Sequence, residues 1–525
     1  MFTKRNVRHL GRQRQLFLDD DIIDELSGMT RRLGPIAKHA DNPLIVAEKD
    51  WEFDHPQLWG GTVLKDPTLG YRMWHQTVPP APESLDQRPD GWVKDIYGKN
   101  CFVVNYVTSE DGIQWQRPSL GLVDWGGSKD NNIVLRDHDH PVVAEHPDEP
   151  DPRKRFRMIC LGPGKEKYKM LASPDGIRWD DDGTPGPRRD FHILVRDTAS
   201  LFYDQPNRQW ASFLKLDRRV GLWPDASVRR CIGLCTSEDG STWDVPELVL
   251  APDAQDDAMA AERTARVADR LSTDHPEEYF CDFQNMHVFP YEGIYIGFIT
   301  VFDASGMSQN GNQDGVVRVQ IVVSRDLRHW TRVADRANFI DLGDKDAFDA
   351  RMIIGPVPPV VEDQHLRIYY TGSNDSHMDD RRCFRSAPPE WKAAHAHLPA
   401  ATDPSTPGGI GLATVRRDGF VCLQVGHMGG YFRTKHFTFT GSTLYLNLAS
   451  SAYDRNSGSA RVEIVEPDDT PIPGFTKDDA DPICADSVRH PVTWNNSTDI
   501  SKLQDRIVRL KFYCNTTQLY SFWFE

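Results

Sequence analysis

Residues 102–106, 168–171, 231–235, 319–323 and 410–415 are short apolar runs of strand-forming composition, each closed by a polar turn. The turns repeat one pattern. Ser109, Asp111, Gly112 and Trp115 recur at the same spacing as Ser173, Asp175, Gly176 and Trp179, and again as Ser237, Asp239, Gly240 and Trp243. Ser324, Asp326 and Trp330 form a looser copy with Leu327 in place of the glycine, and Arg417, Asp418, Gly419 and Phe420 form a degenerate one. Asp-Gly predicts a tight hairpin turn, because Gly accepts positive φ and Asp bonds its own backbone. The Trp that follows is expected to start the next strand as a packing anchor.

Two further strand-like segments precede each of these hairpins: 61–66 and 71–74, 141–145 and 155–158, 199–204 and 209–213, 286–292 and 294–298, and 357–362 and 366–370. Four short strands per unit, repeated around an axis, predict the blades of a β-propeller. The turn aspartates at 111, 175, 239, 326 and 418 are 64, 64, 87 and 92 residues apart, so the later units carry insertions. Residues 253–271 are rich in Ala and charge, with Met259, Val267 and Leu271 near helical spacing; residues 377–407 interrupt the fifth unit. After Phe420 the repeat stops, and 437–439, 444–447, 461–464, 508–512 and 519–522 alternate as short strands of a β-sandwich. The expected fold is therefore all-β: an N-terminal arm (1–41) that supplies a closing strand, a five-bladed β-propeller (42–424) and a C-terminal β-sandwich (425–525).

The charge balance, 61 basic against 77 acidic residues for a net −16, narrows the partners. Without a Lys/Arg block, such a chain is expected to bind neither nucleic acid nor an anionic membrane, and a neutral polar substrate suits it better. Its nine cysteines are odd in number and scattered, and Cys231 and Cys235 lack a second pair to complete a zinc site, so reduced core thiols are expected. The N-terminus has no apolar signal region and no stretch reaches membrane-span length, which points to the cytoplasm. No cofactor or metal is implied, and oligomeric state is left open.

The innermost strand of a blade lines the funnel, so residues just upstream of each inner strand converge on one cavity. These are Glu52 and Asp54, Asp137 and Asp139, Asp197, Asp282 and Asp349. Glycoside hydrolysis needs one protonated carboxyl to donate to the leaving oxygen and one ionised carboxylate as nucleophile or base. Acids crowded in a funnel push their pKa values apart and so supply both forms. Trp51, Trp59 and Phe348 at the same entrances suit stacking on a sugar ring, or plain packing. His287 and His377 suit orienting a carboxylate or binding a central cation, or a structural role.

On blade number, on the Ser-x-Asp-Gly-x-x-Trp hairpins and on residues 410–420 leading into a sandwich, residues 40–525 resemble the five-bladed propeller glycosidases of families 32 and 43. The resemblance implies an oligosaccharide or glycoside substrate and exo-action on a furanoside, fructosyl, arabinosyl or galactofuranosyl. By position it assigns the nucleophile or base to Asp54 or Glu52, and suggests Asp139 or Asp137 in the second blade. The chain lacks the first-blade Asn-Asp-Pro-Asn-Gly signature and the Glu-Cys pair of family 32; Asp197, after Arg196, stands where a proton donor is needed, with Asp282 next in line. A glycoside phosphorylase is a second possibility, with Arg196, Arg218, Arg219 and Arg351 as candidate phosphate ligands. A non-catalytic carbohydrate-binding propeller is the third.

Overall fold

The computed structural model describes residues 7–52, 56–77, 102–162, 168–181, 183–187, 194–220, 227–308, 313–378, 408–450 and 458–525. The chain is mostly β, 53% strand and 6% helix, with no closed barrel among the described residues. Its central part runs as successive antiparallel meanders. The first pairs Gln57–Asp66, Gly70–Thr77, Val103–Ser109 and Ile133–Arg136 in that order; the second pairs Asp139–Glu145, Phe156–Leu161 and Tyr168–Ser173. The third is Leu194–Asp204, Gln209–Val220, Ser227–Ser237 and Glu247–Leu250, and the fourth begins with Phe280–Tyr291, Ile294–Met307 and Gln313–Ser324. In the last, Met352–Ile354 and Val360–Val361 both pair with His365–Ser373, followed by Gly408–Arg416 and the N-terminal strand Ile36–Lys38.

Period-two alternation explains how the meanders stack. Val142 and Ala144 pack with Leu201 and Trp210 of the third meander, while Val143 between them packs with Trp74 and Tyr106 of the first. The same division places Phe213 against Met286, Phe298 against Tyr370, and Met73 against Tyr369, so each neighbouring pair of meanders shares an apolar core and the last shares one with the first. The first strands follow one another in space: Gln57–Asp66 lies against Asp139–Glu145, that against Leu194–Asp204, and that against Phe280–Tyr291, while Gln57–Asp66 also meets His365–Ser373.

The hairpin motif builds its own turn. Gly112 N–H donates to Ser109 Oγ at 2.8 Å, and the N–H groups of Ile113 and Gln114 both donate to Asp111 Oδ1. The bonds recur around Ser173 and Ser237, with φ of +73°, +75° and +72° at Gly112, Gly176 and Gly240. In the fourth copy Leu327 adopts φ +67° without a glycine. The tryptophans differ from expectation: each sits just outside a strand, the fourth strands are short or distant, and the second meander has none among the described residues. Trp115 instead wedges edge-on against Tyr369, with ring centroids 5.6 Å apart.

Two more sheets share a separate core that includes Leu446, Val462, Phe512 and Phe522. One orders Asp486–Pro491, Leu444–Ser450, Thr517–Phe524, Val421–Val425 and Met29–Leu33; the other orders Ile23–Ser27, Gly430–Thr434, Arg509–Asn515 and Ser459–Val465. Buried Asp418, from the last hairpin, accepts from Arg14, Tyr291, Asn447 and Ser521, tying these sheets to the fourth meander and the N-terminal segment. The insertion after the third meander holds the helix Ala254–Ala265, started by an Asp253 capping box. Its buried face is polar: Asp256 meets Arg332 and Arg336, and Arg263 meets Asp303. No helix among the described residues is long and apolar enough to cross a membrane.

Candidate active site

The first strands of four meanders break register near their beginnings: between Gln57 and Thr62, Asp139 and Val142, Val195 and Ala199, and Phe283 and Asn285. A bulge re-aims the side chains it carries and is common beside active sites. Here the bulges carry Trp59, His140, Asp197 and Gln284, and hydrogen bonds link them. His140 N–H donates to Gln76 Oε1 at 2.7 Å, Gln76 Nε2 lies 3.4 Å from Gln57 Oε1, and Asn285 Nδ2 donates to Trp59 O at 2.9 Å. Thr198 Oγ1 donates to Gln284 O at 2.6 Å. The backbone is strained at the second entrance, with φ of +62° at Asp137 and +53° at His140, both non-glycine. Gly355 of the last meander approaches the first closely; a Cβ there would lie 1.8 Å from Leu58 O.

Asp197 and Asp282 occupy neighbouring bulged strands in different surroundings. Asp197 is half-exposed and its Oδ1 lies 2.6 Å from the Nζ of buried Lys215, which also donates to Gln284 Oε1 at 3.1 Å. Burial pushes the Lys215 amine below its ordinary value, and Asp197 opposes that shift. Asp282 is buried, accepting from Arg230 N–H at 3.0 Å and Arg229 Nε at 3.2 Å. Its desolvation outweighs both arginines and raises its carboxyl to about 6. Two buried amide donors complete the set. Lys215 fixes which end of Gln284 is oxygen, and Gln76 does the same for Gln57, so Gln284 Nε2 and Gln57 Nε2 both point away from these partners and meet no acceptor.

The other sequence candidates have different surroundings. Glu52 is fully buried against Arg117 Nε at 2.7 Å and Glu48 N–H at 3.0 Å, and Trp51 Nε1 donates to Asn132 Oδ1. Asp349 pairs with Lys38 Nζ at 2.6 Å and Tyr370 OH at 2.9 Å, with Phe348 beside the same Tyr370 ring. Asp54 lies outside the described residues. Asp139 is buried with His140 Nδ1 at 2.7 Å, and Trp59 lies 6.1 Å from the His140 ring. His287 is buried beside Asn285 Nδ2 at 3.0 Å, and burial lowers it to about 4, which keeps the imidazole neutral. His377 packs on Phe302 at 4.9 Å, and Arg351 donates to Asn374 and Arg270 O. Arg196 pairs with buried Asp217. Among the described residues no group of three His, Cys, Asp or Glu side chains is placed to hold a metal.

Lys215, Arg230, Gln57 and Gln284 escaped the sequence reading. Lys215 and Arg230 come from the second and third strands of the third meander, and no local motif marks them. The one available signal was Lys215 set among the apolar residues Phe213, Leu214 and Leu216.

No family model and no curated protein matches the chain. Among solved structures it is similar to an N-acetylgalactosamine deacetylase from F. plautii in complex with blood group B trisaccharide, at 13% identity and TM-score 0.40, covering 75% of this chain and 97% of that one. A glycosyl hydrolase from Bacteroides ovatus gives 11% and 0.39 over 66% and 92%. An exo-beta-1,3-galactanase from Phanerochaete chrysosporium gives 9% and 0.33 over 94% and 99%. At such identities and scores these likenesses identify neither a fold nor an activity for this chain.

Proposed function

We propose that this protein is a glycoside hydrolase whose meanders are the five blades of a propeller (42–424), flanked by an N-terminal arm (1–41) and a C-terminal sandwich (425–525). The shared cores between successive meanders, and between the last and the first, support the ring. The observation that carries the activity is the pair Asp197 and Asp282 on adjacent bulged strands: one half-exposed beside an ammonium, the other buried and raised to about 6. Environments that separate two carboxyls in this way suit acid and nucleophile or base. We assign the proton donor to Asp282 and the ionised role to Asp197, the reverse of the order expected from sequence. Trp59 offers a stacking face. The substrate is an exo-cleaved furanoside, fructosyl, arabinosyl or galactofuranosyl.

The test is sugar release from nitrophenyl arabinofuranosides, nitrophenyl galactofuranosides and fructosyl oligosaccharides, with and without inorganic phosphate. Phosphate-independent release is expected, lost from every substrate in Asp197→Asn and lost in Asp282→Asn chiefly from the fructosyl oligosaccharides, whose leaving group needs the proton. Release only with phosphate indicates a phosphorylase; no release from any substrate overturns the assignment in favour of a binding propeller.

A further inference from the structure

We propose that Asp257, on the helix inserted after the third meander, is a positioning residue for the acid Asp282, acting through Arg229 and through the backbone of Cys281. The inference rests on the hydrolase reading of this site and gives the insertion a part in it. Phe280–Tyr291 is the edge strand of its sheet, so the Cys281 peptide groups that face outward meet no neighbouring strand there. Side chains take the place of that strand. Asp257 Oδ1 accepts from Cys281 N–H at 2.9 Å, and Arg229 Nη2 donates to Cys281 O. The same two side chains grip each other, Nη2 to Oδ1 at 2.7 Å and Nη1 to Oδ2 at 3.2 Å, with the Phe280 ring 5.2 Å from the guanidinium. Such a bidentate fork fixes the guanidinium plane. It leaves Arg229 Nε to donate to Asp282 Oδ1, 3.2 Å away. One carboxylate of the helix therefore holds the acid twice, by the backbone of the residue before it and by its side-chain donor.

Docking of the helix does not depend on this residue. Asp256 meets Arg332 and Arg336, and Arg263 meets Asp303, which anchor the helix independently. Asp257 also governs how much of the Arg229 charge reaches the acid. A guanidinium shared between two carboxylates stabilises each of them less, and the Asp257 charge itself opposes ionisation of Asp282. The other charges on the elements packed against this strand are met locally: Asp197 by Lys215, Asp217 by Arg196, and Asp303 by Arg263 and Arg318. Arg218, opposite Arg229 in register, is exposed, and burial pushes the Cys231 thiol up to about 11 and keeps it neutral. Arg230 donates its backbone N–H to Asp282, with its Nε 4.0 Å away. Arg229 and Asp257 are thus the pair whose removal separates the acid's charge balance from its neighbours'.

Carbon-13 NMR of the full chain, labelled at the aspartate carboxyls, tests this without turnover; the Asp282 signal is the one that titrates near 6 and is lost in Asp282→Asn. Asp257→Asn keeps an oxygen for Cys281 N–H and Arg229 Nη2 but removes the charge, and should move that midpoint down by about half a pH unit or more. Arg229→Gln removes the cation and should move it up. The alkaline limb of the kcat/KM profile on a methyl glycoside, whose leaving group needs the proton, should follow both shifts. Asp257→Ala, which removes the oxygens as well, should lower kcat on that substrate about tenfold or more with KM little changed. Should Asp257→Asn or Arg229→Gln fail to fold, the other decides alone. A midpoint that stays in place or moves the opposite way, or full kcat in Asp257→Ala, overturns the proposal. Midpoints that shift as expected in a protein that releases no sugar refute the hydrolase reading alone, and hydrolysis with unmoved midpoints refutes this proposal alone.

Discussion

Asp282→Asn should leave the fold as stable as the wild type or more so at alkaline pH. Desolvation of the Asp282 carboxylate outweighs the attraction of Arg229 and Arg230, so its folded-state value of about 6 lies above the ordinary 3.8. A shift of about 2 pKa units corresponds to about 3 kcal/mol between the two protonation states. For an acid whose value is raised on folding, the stabilising contribution is complete below 3.8 and is lost as pH rises through about 6. Wild-type stability therefore falls relative to the variant, by about 1.4 kcal/mol between about pH 5 and pH 8, and the gap levels off above about pH 7. The amide oxygen of Asn can still accept from Arg230 N–H and Arg229 Nε, which limits any offsetting loss. Urea unfolding of both proteins across this range measures the difference, in which other titrating groups cancel. A variant several kcal/mol less stable than wild type at pH 8, or a gap that narrows with rising pH, would make Asp282 an ion-pair anchor and remove the reason to treat it as an acid.

Glu52→Gln should cost stability, roughly 3 kcal/mol by chemical denaturation, and leave turnover intact, because Arg117 loses its buried counter-charge while Asp197 and Asp282 keep their partners. Asp418→Ala should destabilise by about 3–5 kcal/mol and blur the unfolding cooperativity seen by calorimetry, since it strands buried partners from three parts of the chain. Lys215→Met, close in volume, should change stability by less than about 2 kcal/mol while lowering kcat more than it raises KM, because Asp197 loses the group that positions it.

The strands and turns were legible because they are local. Ser, Asp and Gly of the hairpins meet one another within four residues, so their spacing alone encodes the turn. Which residues of 142–144 face which neighbour was not legible, because Val142, Val143 and Ala144 are an unbroken apolar run that the structure divides between two cores. The site was legible only in part, because a residue near the start of a meander's first strand can lie at a bulge or turn into an ion pair with a distant segment. Asp197 and Asp282 reach the bulges, while Glu52 and Asp349 turn into ion pairs with Arg117 and Lys38 from remote segments. The bulges left no mark in the apolar pattern, and Lys215 and Arg230 act from strands whose register no single segment specifies. The helix after the third meander was foreseeable from composition, but its buried face is held by Asp256 and Arg263, not by Met259.

Whether Asp282 delivers the proton is tested most directly by leaving-group dependence, using the nitrophenyl glycoside the protein hydrolyses fastest and the methyl glycoside of the same sugar. A nitrophenolate departs with little protonation, whereas methoxide needs a proton. With Asp282 as the acid, Asp282→Asn lowers kcat/KM on the methyl glycoside by about 10² to 10⁴ and on the nitrophenyl glycoside far less, while Asp197→Asn depresses both. Equal loss on both substrates in Asp282→Asn, or loss confined to the methyl glycoside in Asp197→Asn, would contradict the assignment.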